Sequence, residues 1–210
     1  MVRTMPEPCP VRTGTRYAET TVGVAEIAAR QWGVISHAQL LECGVSRNGI
    51  ARRTAAGTLY RVHPGVFAVG HPALGIEARL AAALFYAGRG AALCGTTAGW
   101  WLGIVDVEPT VLHVVAPRKR RSLHEVRIHR AKQIRRIRHN RLPVTPPART
   151  LLDLAGEVEF DTLRRALAEA EYLKLVTVDN VAAVLARGKP GSGKLRAALE
   201  THRPPAGTHP

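Results

Sequence analysis

Residues 20–32, TTVGVAEIAARQW, place Val24, Ile27, Ala28 and Trp32 on one helical face. Gly33 is expected to stop that helix. VIS is a brief extended piece. Ser36 then caps a short helix, HAQLLEC, as a simple cap without a capping box, since its Glu lies six positions on. Gly44 turns the chain, Ser46 caps a helix from Arg47 to Ala56, and Gly57 ends it. Two short apolar runs, Leu59–Val62 and Val66–Val69, flank His63-Pro64-Gly65 and predict a tight hairpin, with Arg61 and His63 at its tip. Helix, short helix, glycine turn, helix and hairpin together predict a winged helix-turn-helix over residues 19–72.

The pattern changes after Pro72. IEARLAAALFYAG (76–88) has Ile76, Leu80, Ala83 and Leu84 at helical spacing. TTAGWWLG (96–103) predicts a shorter helix capped by Thr96 or Thr97, with Trp100 and Trp101 directed mainly to a core. TVLHVVAP reads as a buried strand. EVRIHR alternates, with Val126 and Ile128 on one side and Arg127 and His129 on the other, as a half-exposed strand does. In LPVTPPARTLLDLAG, Thr145 is expected to cap, Pro146 to take the first helical position and Gly156 to close the helix. Arg149 and Asp153, four apart, are expected to pair. Further helices follow, one carrying Phe160, Leu163, Ala166, Leu167 and Ala170 on one side, one capped by Thr177 and stopped by Gly188, and a last one in GKLRAALETH. The fold class predicted is α+β: the winged helix-turn-helix, then a mixed α/β domain over 73–202 with a small sheet and C-terminal helices. Residues 1–18 and 203–210, rich in Pro and Gly, read as a disordered leader and tail.

Charge adds the functional direction. The 210 residues hold 30 Lys/Arg against 16 Asp/Glu, a net charge of +14 that favours polyanionic partners. Arginine dominance follows from codon bias in part, but codon bias only trades Lys for Arg and creates no surplus over carboxylates. The excess is concentrated: residues 76–155 hold fourteen cations against five acids, whereas residues 156–210 hold eight against seven. The three cysteines are isolated and show no C-x-x-C spacing, which points to a reduced, cytoplasmic protein without a disulfide frame or zinc knuckle. No apolar run approaches a membrane span, and no signal-peptide core appears.

On the Arg47–Ala56 helix, steps of about 100° per residue place Ile50, Ala51 and Thr54 inward, with Asn48 and Arg52 opposite. Asn48 and Arg52 are the base-reading candidates, because Asn suits adenine edges and Arg guanine edges. Arg53, Arg61, His63 and Ser46 are assigned to phosphates, and Arg47, inward by angle, sits at the first turn where it can extend past the core. A second basic surface is expected at Arg118, Lys119, Arg120 and Arg121 in a strand-connecting loop, and at Arg135, Arg136 and Arg138. From Arg118 to Arg141 there are eleven Lys/Arg and one carboxylate, Glu125. Self-repulsion there has no local acid to relieve it. Nucleic acid, an acidic partner protein or plain solvated surface each account for it.

Other motifs lead nowhere. GKPGSGKL (188–195) nearly spells a phosphate-binding loop, but Leu195 replaces the magnesium-binding hydroxyl and a helix precedes it where a strand is needed. The histidines form no metal pattern in sequence, with His124 and His129 at the wrong parity for one face. No cofactor, no metal and no catalytic constellation are expected, and a nuclease would want clustered acids.

ISHAQLLECGVSRNGIARRTAAGTLYRVHPGVFAV resembles the N-terminal winged helix of AbiEi-type regulators, the antitoxins of type IV toxin–antitoxin systems. LPVTPPARTLLDLAG resembles that family's characteristic segment in its second domain. The resemblance covers roughly residues 20–200. It implies a DNA-binding repressor of its own operon, bound to double-stranded operator DNA, inverted repeats included, and paired with a nucleotidyltransferase-like toxin that it need not touch. By position, Ser46–Ala56 is the recognition helix and Leu59–Val69 the wing. Some relatives extend into a nuclease-like domain of the Vsr type, to which nothing here corresponds, so no nuclease site is carried over. Two rivals stay open: a protein-interaction module whose basic second domain neutralises an acidic toxin or partner, and a decayed or partner-dependent nuclease.

Overall fold

The computed structural model describes residues 14–185 and 190–202. The chain divides into two compact units, Met1–Ala82 and Ala83–Pro210, the division falling inside helix α4.

In the first unit, α1 (Gly14–Ala29) starts within the stretch expected to be a disordered leader; residues 1–13 lie outside the described part. The helix also stops earlier than Gly33. Trp32, at φ 55°, has already left it, and both Trp32 and Gly33 are left-handed. β1 (Val34–Ser36) leads into α2 (His37–Glu42), whose start corrects the simple-cap expectation. Ser36 Oγ accepts from the Gln39 N–H at 3.3 Å, and Gln39 Oε1 accepts from the Ser36 N–H at 3.0 Å. That is a full capping box with Gln, not Glu, as the returning partner. The turn over 43–46 uses Gly44 at φ 80° and buries Val45. α3 (Arg47–Ala55) follows, with Ser46 Oγ accepting from the Gly49 N–H at 3.1 Å.

β2 (Leu59–His63) and β3 (Val66–Val69) form the hairpin, and β1 pairs with β3 to complete a three-stranded antiparallel sheet, β1-β3-β2. Val24, Ile35, Leu40, Val45, Ile50, Leu59 and Phe67 form one apolar cluster. α1 to α3 and β1 to β3 each contribute to it, so its geometry ties the roll of these helices to the sheet.

α4 (Ile76–Ala87) is buried on nearly all sides, more than its predicted stripe required, because its alanines leave room for close neighbours. In the second unit, β4 (Ala92–Leu93), α5 (Gly95–Trp101), β5 (Leu112–Ala116), β6 (Val126–Arg130), β7 (Ile137–His139) and β8 (Leu142–Val144) build a mixed five-stranded sheet, ordered β6-β5-β4-β8-β7. β5 and β6 run parallel, joined by residues 117–125 without a helix. The Tyr86 hydroxyl donates to the Arg121 carbonyl at 2.7 Å and anchors that loop.

β7 and the turn to β8 lie inside the predicted charge cluster, and β8 begins just after it. Its two turn residues, Asn140 and Arg141, both have positive φ, the pattern of a type I′ turn. α5 has Cys94 as its N-cap with no side-chain cap; Thr97, expected as a cap candidate, instead accepts the His113 N–H at 2.8 Å. Trp101 donates from Nε1 to the His139 carbonyl at 3.0 Å, which ties α5 to β7.

α6 (Pro147–Ala155), α7 (Phe160–Tyr172), α8 (Val178–Ala182) and α9 (Ser192–Thr201) complete the unit. The predicted start of α6 is displaced: Pro146 is the N-cap, and Thr145 bonds the Thr150 hydroxyl at 2.8 Å rather than a helix N–H. Both threonines are buried. Arg149 and Asp153 pair at 2.9 Å. Thr177 caps α8 as expected; Gly188, its expected stop, lies outside the described residues.

The phosphate-loop lookalike has a packing role. Lys194 Nζ donates to the Val158 carbonyl at 2.8 Å. Gly191, at φ 82°, sits where a Cβ would come within 2.7 Å of the Leu152 carbonyl oxygen. Gly191→Ala is therefore expected to destabilise the protein by more than about 1 kcal/mol, read from denaturant unfolding, since both the backbone angle and the space are wrong for a side chain. In the first unit, Arg53 is 9% exposed. Arg53→Ala is expected to cost about 1–3 kcal/mol through lost packing and stranded partners, whereas Arg52→Ala leaves the Tm essentially unchanged.

Candidate nucleic-acid interface

α3 presents an open face. Ile50 and Arg53 are buried and Thr54 half-buried, while Arg47, Asn48, Ala51, Arg52 and Ala55 are exposed. On a helix these five fall within about 140° of one another. The helical pattern predicts a different roll, with Ala51 inward and Arg53 on the flank. The core takes Ile50 and Arg53 instead, because the apolar stem of Arg53 lies on the same side as Ile50. The consequence is a correction to the direction of two side chains. Arg53 is buried rather than on the flank, and Arg47 joins Asn48 and Arg52 on the outer face. The alanines between them add no bulk. Ser46 is exposed, but its Oγ is engaged by the Gly49 N–H.

The hairpin holds Arg61 and His63 differently from each other. Arg61 is exposed, opposite Phe67 in the register, with its guanidinium 5.5 Å from the Phe67 ring centroid. It lies along β2 rather than at the tip. A register shift between Arg61 and His63 separates them, and His63 is half-buried with an interaction of its own. The tip is also tied down: the His37 N–H donates to the Gly65 carbonyl at 2.8 Å. That bond links the hairpin turn to the start of α2.

The second unit carries the other basic surface. Arg118, Lys119, Arg120 and Arg121 are exposed on the β5–β6 loop, and the Arg120 guanidinium lies 5.9 Å from the Tyr86 ring centroid. After β6, Ala131 and Ile134 pack against Ala92, Cys94 and Val115, pinning the connection to β7. Arg135, Arg136 and Arg138 follow, all exposed. The loop cluster thus leads into one edge strand, β6, and the second cluster runs into the other, β7.

One constellation escaped the sequence reading. His113 on β5, His129 on β6 and Glu157, just past α6, bring their ligand-type atoms within 4.8 Å of one another. His113 Nδ1 and Glu157 Oε1 are 3.1 Å apart. The histidine rings stand 5.1 Å apart, and Glu157 Oε2 accepts the Thr96 N–H at 3.0 Å. The expectation that the histidines form no metal pattern compared His129 with His124. The partner is His113, brought to the same sheet face by the parallel register, in which Val115 pairs with His129. Both strands had been predicted; their adjacency had not, and no local signal encodes it.

Electrostatics in this corner are coupled. Burial, then the neighbouring His113, push the His129 pKa down. Burial raises that of Glu157, but the His113 hydrogen bond and charge and the Thr96 N–H outweigh it and hold the carboxyl below its usual range. Burial, reinforced by Asp153 and Glu157, pushes the Cys94 thiol well up, so it stays protonated. Among the described residues, no helix is long and apolar enough to cross a membrane.

Two family models match the chain. The one described as "Transcriptional regulator, AbiEi antitoxin" matches residues 24–70, which span the last part of α1 through the hairpin. The one described as "AbiEi antitoxin C-terminal domain" matches residues 91–199, from β4 into α9. No curated protein matches the sequence. In the second match, the segment TPPARTLLDL supplies the buried Thr145–Thr150 bond and the Arg149–Asp153 pair. With both matches in chain order, and the second covering more than half of the sequence, the protein belongs to the AbiEi antitoxin family.

Proposed function

We propose that the protein is a sequence-specific, double-stranded DNA-binding repressor, acting in the cytoplasm as the autorepressing antitoxin of a type IV toxin–antitoxin system. In this reading residues 34–69 are a winged helix-turn-helix, α3 is the recognition helix and β2–β3 the wing. The observation that carries it is the outer face of α3, where Arg47, Asn48 and Arg52 stand exposed among alanines. Asn48 and Arg52 read base edges, and Arg47 joins them. The first-turn amides of α3 and Arg61 hold phosphates. His63, half-buried, has a supporting place at the hairpin. Arg53 sets the roll of the helix and touches no DNA. The exposed cations on either side of β6 and at β7 add sequence-independent attraction. The toxin, a nucleotidyltransferase-like enzyme, is countered without obligatory contact.

Gel shifts on the DNA upstream of the protein's own gene test this. Asn48→Ala and Arg52→Ala are expected to cost about 1–3 kcal/mol on that DNA and far less on random duplex. Arg61→Ala is expected to weaken both alike. Equal losses on the two DNAs would remove Asn48 and Arg52 from base reading, and a wild-type protein with no preference for its own upstream region would overturn the repressor assignment. Affinity is also expected to fall steeply and linearly on a log–log plot against salt, with a shallower slope after Arg61→Ala. A basic surface that instead grips an acidic protein would show a toxin pull-down resistant to nuclease and sensitive to substitutions at Arg118–Arg121.

A further inference from the structure

The corner formed by His113, His129 and Glu157 has the composition and spacing of a metal site. We propose that these three side chains bind a divalent transition-metal ion, zinc being the best match, through two imidazole nitrogens and one carboxylate oxygen, with a fourth position open to water or an external ligand. Two imidazoles exclude magnesium and calcium as preferred occupants, and three ligands with a free position is an arrangement zinc commonly takes. The ligand atoms lie within 4.8 Å of one another. Tetrahedral zinc with bonds of about 2.0–2.1 Å needs them roughly 3.3 Å apart, a closure that side-chain rotation supplies.

A hydrogen bond joins His113 to Glu157, and the parallel register brings His129 to 5.1 Å from the first imidazole, where it supplies a third ligand. If both rings were protonated they would repel; a bound cation instead takes a lone pair from each neutral ring. The surroundings are built to hold the ligands still. The His113 N–H donates to Thr97 Oγ1 at 2.8 Å, and its carbonyl accepts the Cys94 N–H at 3.0 Å. Glu157 Oε2 is fixed by the Thr96 N–H, which is the kind of outer support that aligns a metal ligand. Gly95 makes the space: a Cβ there would lie 2.6 Å from both carboxylate oxygens of Glu157. The His113 and Glu157 side chains keep 20% and 24% exposure, so an ion reaches the site without unfolding.

Competition between the full chain and a chromophoric zinc chelator at neutral pH tests this site independently of DNA binding. One zinc per chain is expected. His129→Ala and Glu157→Gln are each expected to weaken binding about tenfold or more, while His124→Ala, at an exposed histidine outside the cluster, leaves it unchanged. Cobalt in place of zinc is expected to give the intense visible absorption of a tetrahedral ion, lost in His129→Ala. His129 lies on an edge strand with its side chain away from the main core, and circular dichroism of that variant confirms that loss of metal is not loss of fold. A wild-type chain with no saturable zinc, or zinc binding that survives both substitutions, overturns the proposal.

Discussion

The burial of Ile50 beside Arg53 sets everything that α3 can do. A helix carrying three arginines has no intrinsic preference for which of them to show. The cluster of Val24, Ile35, Leu40, Val45, Leu59 and Phe67 gives Ile50 one seat. Once Ile50 is seated, Arg53 is drawn in with it and Arg47, Asn48 and Arg52 are turned out. The hairpin follows from the same cluster, since Leu59 and Phe67 anchor β2 and β3. The placement of Arg61 over Phe67 is therefore a consequence of the core as much as the roll of α3 is. The sequence supplies the arginines; apolar packing selects which of them the surface shows.

The order of the elements was largely legible because it is written in local signals. Ser46 as cap, Gly57 in the turn after α3, the His63-Pro64-Gly65 turn and the alternation in β6 each act within a few residues. The Ser36–Gln39 capping box was equally local, but Gln stands where Glu was sought. The start of α6 was misplaced because two prolines follow Thr145 and either suits a helix start; the buried Thr145–Thr150 bond chose between them. β7 and β8 went unseen because each is only three residues long and their turn is Asn-Arg, without the glycine that marks most such hairpins.

The site was legible in part for a related reason. Helical angles give relative directions, but the absolute inward direction depends on the core, and an arginine with an apolar stem is poorly represented by a binary pattern. Asn48 and Arg52 were placed outward either way; Arg47, inward by angle, stands exposed, and Arg53, expected on the flank, is buried. The His113–His129–Glu157 corner depends on the parallel pairing of β5 with β6 and on Glu157 returning past α6, relations spanning dozens of residues. The family segment around Arg149 and Asp153 shows the opposite case, in which a recognisable string does local structural work.

The mixed sheet ends in two open strands, β6 and β7, and each carries arginine: Arg127 and Arg130 on one, Arg138 on the other. An unpaired strand edge is a template for another molecule's backbone, and a row of like charge is a common guard against it. Two copies meeting edge to edge would bring like charges together. Arginine along both edges thus disfavours pairing of one copy's sheet with another's. Any polyanion that neutralised these arginines would remove that guard for as long as it stayed bound.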